Sequence, residues 1–307
     1  MKTIKKREKS RALTGGLPQC LTNSGTSAFN VISGCSFACR YCKYRARQQG
    51  LEQAVIIYTR LADQVIAELS QLETRGQLPR MILFNTTTDG FCGLKEVNKI
   101  AAACLEAFFA RGIYVNLTTK GLLPDEVIEV LIRHSELVTV TGTVAALSES
   151  FASRFEPHVP PAPQRLAILR RLLERGVPVR GRIEPLIPME NDGERDIMSL
   201  LELFRRSGLK EVVVSYLQLD RFTRPHLKQR IGAVHYGMLK PWYEDSDGVG
   251  RFLSDKEYRL KKYNEIKKLG TKAGVRVMVC ACRNADLYTG RCFVMPAQLN
   301  GPQKTLL

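Results

Sequence analysis

Short apolar segments alternate with amphipathic segments along most of this chain, and the alternation limits the folds it can adopt. Parallel β-strands need crossover helices between them, so strand and helix signals that repeat in order predict an α/β fold. Six such strands are predicted, at residues 27–33, 81–84, 113–117, 137–144, 179–187 and 211–217. We therefore expect a partial (β/α)6 barrel of parallel strands with a C-terminal cysteine-bearing extension. An open doubly wound sheet has the same periodicity and stays an alternative.

Composition divides the chain into four regions. These are a basic N-terminal leader (1–26), the partial barrel (27–217), an insertion with basic and aromatic residues (218–254), and a helix, a strand and a cysteine-bearing end (255–307). No apolar run approaches the ~20 residues of a membrane-spanning helix, and the N-terminus lacks the apolar stretch of a secretion signal. These features predict a cytoplasmic protein with no membrane partner.

Three cysteines lie close together directly after the first predicted strand. The segment Gly34-Cys35-Ser-Phe-Ala-Cys39-Arg-Tyr41-Cys42 has the spacing C-x3-C-x2-C. Three thiolates on one tight loop can bind three irons of a 4Fe-4S cluster and leave the fourth iron open to a small molecule. A zinc site needs four ligands, so zinc would have to recruit another residue. Cys35, Cys39 and Cys42 are therefore predicted metal ligands, with structural thiols or a zinc knuckle as the alternative.

The motif resembles the signature of the radical S-adenosylmethionine (radical SAM) superfamily, in which an aromatic residue precedes the last cysteine, as Tyr41 does here. The resemblance implies that S-adenosylmethionine chelates the open iron and that one electron, from a donor such as flavodoxin or ferredoxin, breaks a carbon-sulfur bond. The 5'-deoxyadenosyl radical so formed abstracts hydrogen from a substrate. Segments 84–90 (FNTTTDG) and 182–188 (RIEPLIP) resemble the spore photoproduct lyase-like branch, and the similarity covers roughly 27–217.

Polar residues after the later strands are the candidate cofactor ligands. In the superfamily the loop after the second strand binds the cofactor's amino group, often through Gly-Gly-Glu, and hydroxyls with a carboxylate can serve the same ammonium. The candidates are Tyr41, then Thr86, Thr87, Thr88 and Asp89 in that loop, then Thr118 and Lys120, Thr141, Arg182 and Glu184 at the following strands. The alternative for each is an ordinary polar strand residue.

A second cysteine triplet, Cys280, Cys282 and Cys292, follows the strand predicted in the C-terminal region 255–307. Three thiolates can hold an auxiliary 4Fe-4S cluster that binds substrate, passes electrons or donates sulfur. Zinc with an outside ligand and three structural thiols stay alternatives. A spore photoproduct lyase needs only one cluster to reverse a thymine dimer, so a second cluster indicates different chemistry.

Three single residues are candidate catalytic groups. Cys92, just beyond the second barrel strand, can donate a hydrogen atom to a product radical, although a lone cysteine is more often a small apolar residue. Tyr216 ends the sixth strand and Tyr288 lies between the C-terminal cysteines, where either can relay a radical or pack against a base.

The charge of the chain points to an anionic partner. Forty-six Lys and Arg against thirty Asp and Glu give a net charge of +16, which attracts a polyanion or a phosphorylated ligand. With the repair-enzyme resemblance, this favours a nucleotide or nucleic acid as substrate. A small phosphorylated metabolite that gains sulfur or is rearranged is the alternative within the enzyme class. A zinc-stabilised, non-catalytic nucleic-acid-binding protein is the rival class.

Overall fold

The computed structural model describes residues 3–14, 25–47, 54–245, 250–284 and 286–287. The strands in these ranges are β1 (Thr3–Arg7), β2 (Thr26–Phe29), β3 (Ile32–Ser33), β4 (Ala54–Tyr58), β5 (Met81–Phe84), β6 (Tyr114–Thr119), β7 (Val138–Thr143), β8 (Val179–Leu186), β9 (Glu211–Tyr216), β10 (Leu219–Asp220), β11 (Tyr243–Asp245), β12 (Arg251–Ser254) and β13 (Arg276–Val279). The α-helices are α1 (Lys43–Arg47), α2 (Leu61–Thr74), α3 (Lys95–Phe109), α4 (Asp125–Arg133), α5 (Glu149–Phe155), α6 (Ala162–Glu174), α7 (Glu194–Arg206), α8 (Thr223–Ile231), α9 (Ala233–Leu239) and α10 (Lys256–Ala273).

Seven parallel strands form the main sheet, in the order β2-β5-β6-β7-β8-β9-β13. Six of them correspond to the six predicted barrel strands and lie side by side in chain order. The seventh, β13, comes from the C-terminal region and pairs with β9. Among the described residues the two edge strands do not pair with each other, so the sheet is not closed. The prediction of an α/β fold with a partial parallel barrel is confirmed.

The N-terminal part of the sheet differs from the sequence prediction. The single strand predicted at 27–33 is two strands, β2 and β3, interrupted at Asn30, whose side chain bonds the loop after β5 instead. β3 pairs with β4, and β4 pairs with β1, in a separate three-stranded sheet. Periodicity did not predict β1 within the basic leader, because only one of its five residues is apolar.

The core lies between the main sheet and the helices that follow its strands. Each helix buries one apolar stripe against the sheet, represented by Val65 in α2, Val97 in α3, Leu131 in α4, Leu169 in α6 and Leu200 in α7. A smaller apolar cluster lies around α5, α8 and α9. Within the described ranges, none of the helices combines the length and the apolar character needed to cross a bilayer.

Candidate functional site

The first cysteine triplet lies on a tight loop between β3 and α1. Gly34 has a φ of +79°, and a Cβ at this position would lie 2.2 Å from the carbonyl oxygen of Ala54. Only glycine fits this conformation and this approach to the backbone of β4. Ala38 also has a positive φ of 52°, and the Cys42 amide donates to the Cys39 carbonyl at 3.1 Å. The loop therefore folds back on itself and keeps the three thiols on one short segment.

Neighbouring elements hold the loop from several sides. The Arg40 amide donates to the carbonyl at the end of α5, on Phe155, at 2.9 Å. The Arg40 guanidinium donates to the Arg230 carbonyl near the end of α8 at 2.9 Å. The Ser36 hydroxyl donates to the Cys92 carbonyl at 2.5 Å, which ties the loop to the segment after β5. These bonds restrict the positions of the three cysteines.

The donor set of this loop fits a 4Fe-4S cluster with one open iron. Burial raises the pKa of Cys39 to about 12, so without iron its thiol keeps its proton, and iron binding would release it. No carboxylate or imidazole lies between Cys35 and Cys42, so the segment itself offers three thiols and no fourth ligand. In the part of the chain that the structure describes, no three His, Cys, Asp or Glu side chains are spaced to hold a single metal ion. The fit to a 4Fe-4S cluster therefore rests on the three thiols and on the loop that holds them.

A buried polar network lies beside the triplet. The Tyr41 hydroxyl donates to the carboxylate of Glu156, and the Lys120 ammonium donates to the same oxygen at 2.8 Å. Lys120 also donates to the Glu184 carbonyl at 2.9 Å and lies 5.8 Å from the centre of the Tyr41 ring. Burial alone would raise the pKa of Glu156, but Lys120 and Arg165 hold it below its usual value.

Two predicted residues, Tyr41 and Lys120, are thus brought together by a third that sequence reasoning missed. Glu156 follows the last residue of α5, in a segment with no motif and no polar run at a strand end. Its charge acts on Cys39 as well, because it opposes ionisation of that thiol while Lys120 favours it. Only the packing of α5 against the cysteine loop gives Glu156 this place.

The loop after β5 is organised by Asn30, which the sequence did not single out. Its side-chain oxygen accepts from the amides of Thr87 at 2.9 Å and Thr88 at 3.2 Å, and its amide donates to the Thr86 hydroxyl at 2.9 Å. The Thr88 hydroxyl is buried and donates to the Ile32 carbonyl. Thr86 and Thr87 are exposed. These two are therefore the members of the run whose side chains face solvent.

Asp89 connects the loop after β5 to the end of β6. Its carboxylate accepts from the Lys120 amide at 2.7 Å, from the Phe91 amide at 3.0 Å and from the Thr119 hydroxyl at 2.9 Å. Burial raises the pKa of Asp89, although these bonds favour the charged form. The carboxylate thus holds the backbone that presents Lys120. Cofactor binding by Thr86, Thr87, Thr88 and Asp89 stays a prediction.

A second charged group lies further along the sheet. Arg182 donates to Glu184 on the same strand, and Arg283, from a 3-10 helix after β13, donates to the other oxygen of Glu184 at 3.2 Å. Burial alone would raise the pKa of Glu184, but Arg182 and Arg283 lower it to about 2. In the register of neighbouring strands, Thr118 lies opposite Thr141. Arg283 is a member of this group that sequence reasoning missed.

The C-terminal triplet is described only at its beginning. The Cys280 thiol lies 3.9 Å from the Arg182 guanidinium, which places it next to the Glu184 group. Cys282 belongs to the short 3-10 helix Ala281–Arg283, but its side chain lies outside the described residues, as do Tyr288 and Cys292. The auxiliary cluster stays a prediction.

The remaining candidates have defined surroundings. Cys92 is 7% exposed, and a hydrogen bond from the Cys35 thiol lowers the pKa of Cys92 to about 7. It therefore contacts a predicted cluster ligand directly. Tyr216 is 1% exposed and donates to Asp192 at 2.8 Å. Tyr216 is thus surrounded by protein, and its catalytic role stays a prediction.

A parallel α/β sheet whose first strand, β2, is followed by β3 and then by a C-x3-C-x2-C loop defines a class of protein, and comparison with known families agrees. Residues 29–201 match the model of the Radical SAM superfamily. The chain belongs to this superfamily, and membership implies a 4Fe-4S cluster and S-adenosylmethionine as cofactors.

Among curated relatives, the chain is similar to ORF301 of Acidianus two-tailed virus, with 25% identity over 200 residues, 60% of this chain and 65% of ORF301. It is also similar to Rv2578c of Mycobacterium tuberculosis (strain ATCC 25618 / H37Rv), with 25% identity over 205 residues, 64% of this chain and 59% of that protein. The chain therefore spans less than two thirds of the length of these relatives.

Among solved structures, spore photoproduct lyase complexed with dinucleoside spore photoproduct has a TM-score of 0.71 and 16% identity, covering 90% of this chain and 82% of that one. A mutant of the same lyase, with bound AdoMet and dinucleoside spore photoproduct, has a TM-score of 0.70 and 16% identity, covering 89% and 80%. At this identity the likeness shows a shared fold.

Proposed function

We propose that this enzyme reductively cleaves S-adenosylmethionine at the loop of Cys35, Cys39 and Cys42 and directs the resulting radical at a nucleotide or nucleic-acid substrate. The observation that most supports this proposal is the position of that loop beside the buried network of Tyr41, Glu156 and Lys120. Support for the substrate comes from the net charge of +16 and from the spore photoproduct lyase of the same fold, whose structures contain a dinucleoside.

When bound, the cluster supplies one electron to S-adenosylmethionine, which breaks a carbon-sulfur bond and leaves a radical that abstracts hydrogen. The chain's own residues prepare the place for this chemistry. Cys35, Cys39 and Cys42 would hold three irons, and the exposed hydroxyls of Thr86 and Thr87 would offer acceptors for an ammonium. Lys120, fixed by Glu156, adds a positive charge that suits a carboxylate.

The charged group around Glu184 is the proposed substrate side of the site. Arg182 and Arg283 share the one carboxylate of Glu184, so the group carries a net positive charge. An anionic substrate group is attracted to such a place, because each guanidinium can offer a planar pair of donors. We infer that the phosphate or carboxylate of the substrate is bound here.

The cysteine at the edge of this group favours a second candidate function. Cys280 lies beside Arg182, so a cluster held by Cys280, Cys282 and Cys292 would adjoin the proposed substrate side. An auxiliary cluster at this place can bind substrate, pass electrons or donate sulfur. Insertion of sulfur into a small phosphorylated metabolite is therefore the alternative reaction.

Anaerobic reconstitution tests both parts of the proposal. About eight irons per chain would support two clusters and about four would support one. We expect reduced wild type, with flavodoxin or dithionite as donor, to release 5'-deoxyadenosine and the Cys39→Ala variant to release none. Cys104→Ala is the matched control, because Cys104 is fully buried in α3 and should leave iron and product unchanged.

Transfer of deuterium tests the substrate. A deuterated oligonucleotide should place deuterium in the 5'-deoxyadenosine that is released, as measured by mass spectrometry. Zinc in place of iron after anaerobic purification, or full product release by Cys39→Ala, would overturn the radical chemistry. Product without deuterium, together with transfer from a deuterated phosphorylated metabolite, would favour the second candidate.

A further inference from the structure

The region between β9 and α10 forms a cationic cavity outside the site described above. Its volume is about 330 Å³, within the range of small-ligand pockets. Three of its six lining residues are cations and none is a carboxylate. They are Arg221, Arg224, Pro225, Lys228, Tyr236 and Phe252. The cavity is therefore an electrostatic site for an anion.

The cavity also has an aromatic wall. The Arg224 guanidinium lies 4.0 Å from the centre of the Phe252 ring and donates to the Tyr236 hydroxyl at 3.3 Å, so these two contacts fix its position beside the ring. Guanidinium planes and aromatic rings are the surfaces on which nucleobases stack. Arg221 and Lys228 are exposed at the same cavity, where they can meet phosphate. The ligand that suits this combination carries both a planar ring and a phosphate.

Positive charge continues from this cavity to the cysteine loop. The guanidinium groups of Arg221 and Arg47 lie 4.8 and 5.5 Å from the centre of the same ring, Phe222. Arg47 belongs to α1, which begins at Lys43, the residue after Cys42. Asp220 accepts from Arg47 at 2.8 Å and pairs with Lys43 at 3.6 Å, which joins α1 to the chain just before α8. The cavity and the cysteine loop are thus neighbours on one connected surface.

From these contacts we propose that the cavity binds a nucleotide of a single-stranded nucleic acid whose reacting nucleotide lies at the sheet. This inference rests on the proposed function and adds to it a second contact point. A strand bound in this way places its phosphates along Arg47, Arg221 and Lys228 and stacks one base near Phe252. The small volume of about 330 Å³ favours a single-stranded nucleic acid over an acidic electron-donor protein, because protein partners bury a wide surface rather than one small pocket.

Fluorescence anisotropy with a labelled single-stranded DNA of about ten nucleotides tests the proposal on reconstituted holoenzyme. The Arg221→Gln, Lys228→Gln double variant should raise Kd at least tenfold and reduce the slope of log K against log salt by about 1.4, at ~0.7 per phosphate contact. Phe252→Leu should raise Kd roughly tenfold through lost stacking. The Lys261→Gln, Lys268→Gln variant removes two exposed charges from α10 and should change Kd less than twofold.

The outcomes separate this proposal from the proposed function. An unchanged Kd in both cavity variants would overturn the proposal that the cavity binds single-stranded nucleic acid, whatever substrate the enzyme acts on. Loss of reduction by flavodoxin in the double variant, with DNA binding intact, would also overturn it and assign the surface to the electron donor. If wild type releases 5'-deoxyadenosine but binds no DNA, the cavity proposal and the nucleic-acid substrate both fail while the radical chemistry stands.

Discussion

Replacement of Glu156 by Gln should remove the charge that holds Tyr41 and Lys120 together. Glu156 is 4% exposed and Lys120 is 17% exposed at the side chain, so water screens the pair little. At the 2.8 Å separation of their charged atoms, the attraction is about 6 kcal/mol for an effective dielectric constant of about 20. Desolvation of the two charges offsets part of this attraction. Loss of one partner of a buried pair typically costs about 3–5 kcal/mol, because the other charge stays buried.

We therefore expect Glu156→Gln to lower the free energy of unfolding by about 3 kcal/mol, since the amide keeps the hydrogen bond to Tyr41. Lys120→Met should have an effect of similar size. Because the two side chains are in contact, the double variant should lose about 1–3 kcal/mol less than the sum of the single changes. Glu106→Gln is the matched control, because Glu106 pairs with Arg133 at the surface, and an exposed pair contributes about 1 kcal/mol or less.

Calorimetry of the anaerobic, iron-loaded protein measures these changes. For a chain of this size, a loss of 3 kcal/mol should lower Tm by roughly 4–6 °C, at about 2.1 cal/mol/K of unfolding entropy per residue. The rate of 5'-deoxyadenosine release at equal iron content tests whether the network also orients Tyr41 for the proposed chemistry. Strictly additive single and double variants, or a Glu156→Gln shift no larger than that of Glu106→Gln, would refute the buried coupling.

Three further perturbations test other parts of the structure. Gly34→Ala should lower the free energy of unfolding by more than about 2 kcal/mol and should lower iron content, because the added Cβ would lie 2.2 Å from the Ala54 carbonyl oxygen. Gly112→Ala is the control and should leave iron content unchanged, because Gly112 has a φ of +65° but open space around it. Equal iron content in the two variants would contradict this prediction. The pKa of Glu184 is lowered from 4.5 to about 2, so its stabilising contribution is complete above about pH 4.5 and is lost as the pH falls toward 2. In acid-unfolding titrations, the difference in unfolding free energy between wild type and Glu184→Gln should therefore shrink by about 3 kcal/mol across that interval. The same difference should stay constant from pH 5 to 7. Arg259→Met should speed amide hydrogen exchange in the segment that contains Asn284 and Asp286. The Arg259 side chain is 1% exposed and donates to Asp286 at 2.5 Å and to Asn284 at 3.0 Å. Unchanged exchange in this segment would show that other contacts hold it.

Local patterns were sufficient to predict most of the sheet. Each of the strands from β5 to β9 contains two or more apolar residues, and each of those from β5 to β8 is followed by a helix, so both signals are visible within a short stretch of sequence. The pattern was insufficient at the ends of the sheet. β1 carries four polar residues, and β13 was predicted as a strand without any indication that it would join β9. Strand partners are chosen by tertiary contacts, which leave no periodic signal in either partner.

The sequence by itself determined the cysteine loop. Spacing, the preceding glycine and the aromatic residue Tyr41 all lie within nine positions, where the chain's own connectivity brings the ligands together. Tertiary structure alone decided what surrounds that loop. Glu156 reaches Tyr41 across 115 positions of sequence and Arg283 reaches Glu184 across 99. A hydrogen bond between distant residues depends on where two elements pack, so neither residue type nor spacing could reveal it before the fold was known.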